Sequence, residues 1–91
     1  MFNLDIRKRK VSDITILDLD GKILLGRTGV FFGKTLLRMS NEGQNQILLN
    51  FAKIVEIDGS GLGEIIKSFN KISKIGGTIK IVNLTKKILQ L

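Results

Sequence analysis

The chain has 91 residues, 43% of them hydrophobic and spread along its whole length, which suits one globular domain over residues 1–91. It contains no Cys, His, Trp, Tyr or Pro, which excludes thiolate nucleophiles, disulfides, Ser-His triads and ordinary zinc sites. Fifteen basic residues against eight acidic ones give a formal charge of +7, so an acidic protein, nucleic acid and an anionic membrane are the partners to weigh.

Leu4 and Ile6 alternate with Asp5 and Arg7, and Ile14, Ile16, Leu17 and Leu19 follow, broken by Asp18 and Asp20. Two strands joined by a turn near residues 10–13 are expected. Gly21, Gly26, Gly29 and Gly33 then punctuate a predicted loop, after which Phe32, Leu36 and Met39 recur at near-helical spacing up to Asn41. Residues 42–45 form a polar break. The apolar run Ile47, Leu48, Leu49 and Phe51 reads as a strand covered on both faces. Over residues 60–75, Leu62, Ile65, Ile66, Phe69 and Ile72 share one predicted helix face, and Glu64, Lys67, Lys71 and Lys74 the other. Gly76-Gly77 ends that helix, since the residue past a last turn often needs positive φ. Residues 78–82 give a short strand, and Thr85 is the predicted N-cap of a last helix. The alternation predicts a mixed sheet with helices as crossover connections.

No run of about 18 uncharged apolar residues exists, and residues 1–10 lack the apolar stretch of a signal peptide. A cytoplasmic protein with no membrane partner is expected. The carboxylates, lysines, arginines and hydroxyls stand in no catalytic arrangement, so neither an enzymatic activity nor a metal or cofactor is expected. The one basic run, residues 7–10, contains no aromatic on which a base could stack, so nucleic acid is not the favoured partner.

Two glycine patterns resemble nucleotide sites. Gly29-Val30-Phe31-Phe32-Gly33-Lys34-Thr35 ends like a P-loop, but the motif needs four residues between its glycines and this segment has three. Gly59-Ser60-Gly61-Leu62-Gly63 approaches the dinucleotide fingerprint, but its third glycine comes one position early and the acid expected about 20 residues later is missing. The second segment does offer a helix N-terminus, whose free amides and positive dipole end favour a negative group. Its simpler reading is that Asp58 or Ser60 caps the helix.

Ile57-Asp58-Gly59-Ser60-Gly61-Leu62-Gly63, after an apolar strand and before a helix closing in Ile75-Gly76-Gly77, resembles the signature of the STAS domain, named for sulphate transporters and anti-sigma-factor antagonists. Residues 11–23 are similar to that family's second strand with its glycine turn. Residues 80–85 are similar to its last strand and the turn that follows. The likeness runs in order along nearly the whole chain. It implies an α/β fold, a STAS-like mixed sheet of four to five strands with helices on one side and a shortened C-terminal helix.

It further implies an anti-sigma-factor antagonist, a protein-binding module in bacterial partner switching that controls transcription. In such systems the unphosphorylated antagonist binds a serine-kinase-type anti-sigma factor, and phosphorylation breaks the complex. The partner contact then falls on Asp58, Gly59, Ser60, Gly61, Leu62 and Gly63. The family's phosphorylated hydroxyl directly follows the aspartate, where this chain has Gly59; Ser60 matches the second hydroxyl of the motif. Either Ser60 takes the phosphate, or the domain binds partners without this switch. The second is expected, because a kinase that positions one hydroxyl does not readily use its neighbour. A small nucleotide- or phosphate-binding domain using the helix N-terminus at residues 59–64, and a basic nucleic-acid-binding domain, are the alternatives. The apolar ending Ile88-Leu89-Gln90-Leu91 suggests a homodimer formed through that end.

Overall fold

The computed structural model describes residues 4–24 and 27–90. Their elements are β1 (Leu4–Val11), β2 (Ile14–Ile23), α1 (Arg27–Asn41), β3 (Gln46–Ile57), α2 (Gly59–Lys74), β4 (Thr78–Val82) and α3 (Lys86–Leu89). This is the order the sequence predicts. Gly26 and Leu91, read above as part of a loop and of an apolar ending, lie outside the described residues.

One sheet of order β1-β2-β3-β4 organises the fold, with β1 antiparallel to β2 and the other pairs parallel. Parallel neighbours need crossovers, which α1 and α2 supply. Two right-handed crossovers advancing in the same direction put both helices over the same face. That face buries Leu17, Leu19, Ile47, Leu49, Phe51 and Ile79 against Phe32, Leu36, Ile65 and Ile72. The other face carries Arg7, Arg9, Asp18 and Asn50, so β3 is covered on one side and not on both. Its apolar run looked continuous because Leu48 lies half-buried on the open face beside its cross-strand partner Ile16.

β3 also runs six residues past Phe51, because the ladder slips. Its pairing with β2 shifts between Asp18 and Asp20 and again between Gly21 and Lys22. Each bulge adds a residue to β3. The buried positions therefore change from every second residue, Ile47, Leu49 and Phe51, to every third, Ile54 and Ile57. No period-2 template recovers such a strand.

The predicted glycine loop is mostly regular structure. Gly21 belongs to β2, and Gly29 and Gly33 lie inside α1. The P-loop-like segment is thus helical throughout, and from Phe31 on its amides belong to the helix ladder instead of a phosphate cradle. Thr35 does the same with its side chain, donating from Oγ1 to the Phe31 carbonyl at 2.8 Å.

α2 ends as the paired glycines predict. Gly76 adopts φ 84°, its amide donates to the Ser73 carbonyl at 3.1 Å, and the Gly77 amide donates to Ile72 at 2.9 Å. These two bonds make a Schellman ending. Thr85 caps α3, its Oγ1 accepting from the Ile88 amide at 3.3 Å. Ile88 is buried in the main core, which removes it from the proposed dimer surface: α3 packs on β3 and needs an apolar anchor there. Leu89 is exposed. Among the described residues, no helix is long and apolar enough to cross a membrane.

A polar chain crosses the open sheet face. Arg9 Nε donates to Asp18 Oδ2 at 2.6 Å, Asn50 Nδ2 to Asp18 Oδ1 at 2.8 Å, and Asn83 Nδ2 to Asn50 Oδ1 at 2.9 Å. Asn50 Oδ1 also accepts the Ala52 amide at 3.1 Å, at the first bulge of the ladder. Hydrogen bonds from Arg9 and then Asn50 hold the Asp18 carboxyl below its ordinary value. A lowered folded-state pKa means stability that is fully present above the unfolded value of about 3.9 and is lost as pH falls toward the folded one. Urea unfolding of Asp18→Asn should therefore show a shallower fall in stability below about pH 4 than the wild type. Parallel curves would remove Asp18 from the acid response.

Candidate functional site

The site begins where β2 and β3 end together. Ile23 and Ile57 form the last pair of their ladder, and the Ile23 carbonyl accepts the Asp58 amide at 3.3 Å. Asp58 is extended, with φ −100° and ψ 173°, and caps α2: its Oδ1 accepts from the Gly61 amide at 2.6 Å. Of the two cap candidates, Asp58 fills the role, because its side chain reaches the third helical amide while Ser60 already stands inside the first turn. α2 has no acidic residue in that turn, so the capping carboxylate is what meets the positive end of the helix dipole.

Gly61 is buried, and a Cβ there would lie 2.2 Å from the Ile23 carbonyl oxygen and 2.9 Å from its carbon. Those are backbone atoms that no rotamer change can move. Gly59 and Gly63 are open, and a Cβ at either would meet nothing within 4 Å. The six residues 58–63 therefore divide by role. Asp58 and Gly61 hold the helix to the strand ends, while Gly59, Ser60, Leu62 and Gly63 are exposed.

The buried face of α2 keeps Ile65 and Ile72 of the one the apolar spacing predicts, with Phe69 partly buried beside them, but is rotated away from Leu62 and Ile66. Gly61, Ile65, Ser68 and Ile72 are buried, whereas Leu62 is 44% and Ile66 52% exposed. Gly61 faces inward because the start of α2 lies against the end of β2, where a larger side chain does not fit. With about 100° per residue, Gly59, Leu62 and Ile66 share one flank of α2, and Ser60, Lys67 and Lys71 share the other. Leu62 and Ile66 are the surface residues that apolar spacing placed on the buried face, and Ile66 is the one outside the predicted contact. The signal that could have found it is Gly61 and Ser68, small residues two turns apart on one face.

The basic run does not present all its side chains on one face. It lies on β1, where strand alternation splits it. Arg7 and Arg9 face the open side beside Asp5, at 3.6 Å, and Asp18, while Lys8 turns toward the helices and donates to Gln44 Oε1 at 3.2 Å.

Residues 5–91 match the family described as the STAS domain. No curated protein matches the chain in sequence. Among solved structures, the chain is similar to a Thermotoga maritima protein assigned as an anti-sigma factor antagonist. The two share 26% identity at a TM-score of 0.83, over 93% of this chain and 73% of that one. The unphosphorylated anti-sigma factor antagonist SpoIIAA is similar at 15% identity and a TM-score of 0.74, over 94% of this chain and 79% of its own. A further neighbour, Mglu, shares 20% identity at a TM-score of 0.74 over 88% of this chain, which spans only 20% of Mglu. These last two likenesses speak for the fold alone.

The close approach at Gly61 predicts a sharp contrast between neighbouring glycines. Gly61→Ala should cost about 2–3 kcal/mol of stability, read as a fall in Tm of roughly 10 °C or more. Gly63→Ala should leave Tm unchanged or raise it, because an open helical glycine gains about 0.5–1 kcal/mol on becoming alanine. Equal effects at the two positions would refute the strand-end contact.

Proposed function

The chain belongs to the STAS domain family, and on that footing we propose that it is an anti-sigma-factor-antagonist-type binding module. It acts in the cytoplasm, in a partner-switching circuit that controls transcription, by contacting a serine-kinase-type anti-sigma factor. The contact is the start of α2, residues 58–63, extended along the flank that carries Leu62 and Ile66. The observation that supports this placement is the outward position of those two side chains, 44% and 52% exposed beside a rigidly held helix start. Apolar side chains left in water at a preformed site favour a protein partner that covers them.

The same geometry supports binding without the family's phosphoswitch. Position 59, directly after the aspartate, lies on the apolar flank with Leu62 and Ile66. A phosphate there would set about −1.5 to −2 charges into a desolvated contact, and Gly59 offers no hydroxyl to carry it. Ser60 is exposed but stands roughly 160° round the helix from Leu62, so a charge on it points away from that contact.

Affinity capture from source-cell lysate with mass-spectrometric identification should recover a serine-kinase-type anti-sigma factor. Titration of that purified partner then locates the contact. Gly59→Asp and Leu62→Asp should each weaken binding at least about tenfold, or 1.4 kcal/mol, while Ser60→Asp stays within about twofold. An acid at either of the first two helical positions is favourable to α2 by about 0.3–1 kcal/mol, so binding lost with Gly59→Asp would not reflect unfolding. Loss with Ser60→Asp alone would make Ser60 the switch and move the contact to the other flank. Failure to recover any anti-sigma factor would count against partner switching itself.

A further inference from the structure

The charge of the chain is divided unevenly between its layers. α1 carries three cations and no acid, α2 three cations and Glu64, and α3 two cations and no acid. The helices thus account for the whole formal +7, and the strands and connections balance to zero. Among the described residues, three of the seven strand cations form ion pairs: Arg7 with Asp5, Arg9 with Asp18, and Lys22 with Glu56 at 3.4 Å. Lys34, Lys67 and Lys71 make no salt bridge among the described residues.

These three lysines line one groove of about 420 Å³ between α1 and α2, with Val30 and Leu37 as its apolar wall and Glu64 as its single acid. Both walls repeat with the helical period. Lys67 and Lys71 are four residues apart on α2, and Val30, Lys34 and Leu37 are spaced by four and three on α1. Together they span about two turns, roughly 10 Å. Val30 is 38% exposed and Leu37 is half-buried, so an occupant must meet ammonium groups and cover hydrocarbon at once.

We propose that this groove binds an acidic amphipathic helix of a partner protein, its carboxylates one turn apart against Lys67 and Lys71 and its apolar face over Val30 and Leu37. Charge complementarity selects the acid, and the paired helical period of the walls selects the helix. A purely acidic tail satisfies the lysines and leaves Leu37 uncovered. A flat bilayer reaches Val30 but not a side chain recessed between two helices. The groove lies on the Lys67 flank of α2, opposite Leu62 and Ile66, so this inference stands apart from the anti-sigma contact and survives if that reading fails.

The test is a labelled synthetic peptide of about three helical turns, with glutamates along one face and leucines along the other, titrated with the full chain. A scrambled peptide of identical composition and vesicles of phosphatidylcholine with phosphatidylserine run beside it. Saturable binding of the patterned peptide is expected, with amide shifts concentrated on α1 and the Lys67 flank. Lys67→Glu/Lys71→Glu should weaken it at least about tenfold, and Leu62→Asp should leave it within about twofold. If the charge reversal disturbs folding, Lys67→Gln/Lys71→Gln takes its place with an expected loss of about threefold or more. Equal binding of the scrambled peptide, or an unchanged affinity in the lysine variants, would overturn the groove; binding to vesicles without binding to the peptide would give the surface to lipid instead.

Discussion

The contact between the end of β2 and the start of α2 is the constraint from which the rest of the molecule follows. Ile23 offers one carbonyl, and two features of α2 converge on it: the Asp58 amide as a donor and Gly61 as a residue with no side chain to hold the helix off. The Asp58 carboxylate then turns back to the Gly61 amide. The helix start is thereby pinned to the parallel pair β2 and β3 by backbone contacts, apart from the side-chain packing of its later turns. Because the approach is backbone to backbone, it fixes which residues of the first turn face out, and it does so independently of any partner.

That close packing also explains what could and could not be read in the sequence. The order of elements, the Gly76-Gly77 ending and the Thr85 cap were legible because each depends on local chemistry: helical periodicity, a positive φ and a hydroxyl acceptor. The extent of β3 was not. Its register is set by Asn50 and the two bulges against β2, and pairing across strands leaves no local periodic signature. The start of α1 was misread for a related reason. Gly33, which looks like a loop residue, lies inside α1 where it faces α2; a Cβ on it would come within 3.2 Å of Glu64 Oε2.

The candidate site was legible in position and misread in orientation. Residues 58–63 stand where the motif places them, but apolar spacing put Leu62 and Ile66 in the core. Periodicity counts large hydrophobic residues and ignores glycine and serine, yet where a helix packs tightly the small residues mark the contact. Gly61 and Ser68 join Ile65 and Ile72 in the interior, and Leu62 and Ile66 face solvent.

α2 consequently offers two surfaces of different chemistry, separated by its ridge. Leu62 and Ile66 stand beside Gly59 on one, and Lys67 and Lys71 stand below Ser60 on the other. Adding a charge at the helix start therefore has consequences that depend on the position used. At residue 59 it would enter the apolar surface, where desolvation makes an unpaired charge costly. At residue 60 it would join the basic flank, where the helix dipole and the lysines favour it. Replacing the hydroxyl by glycine at 59 removes the position at which modification would break an apolar contact, and leaves a serine only at the position where added charge is compatible with it. On the proposed reading, such a surface is controlled by the abundance of its partner and by competition for it, and not by a phosphate at the contact.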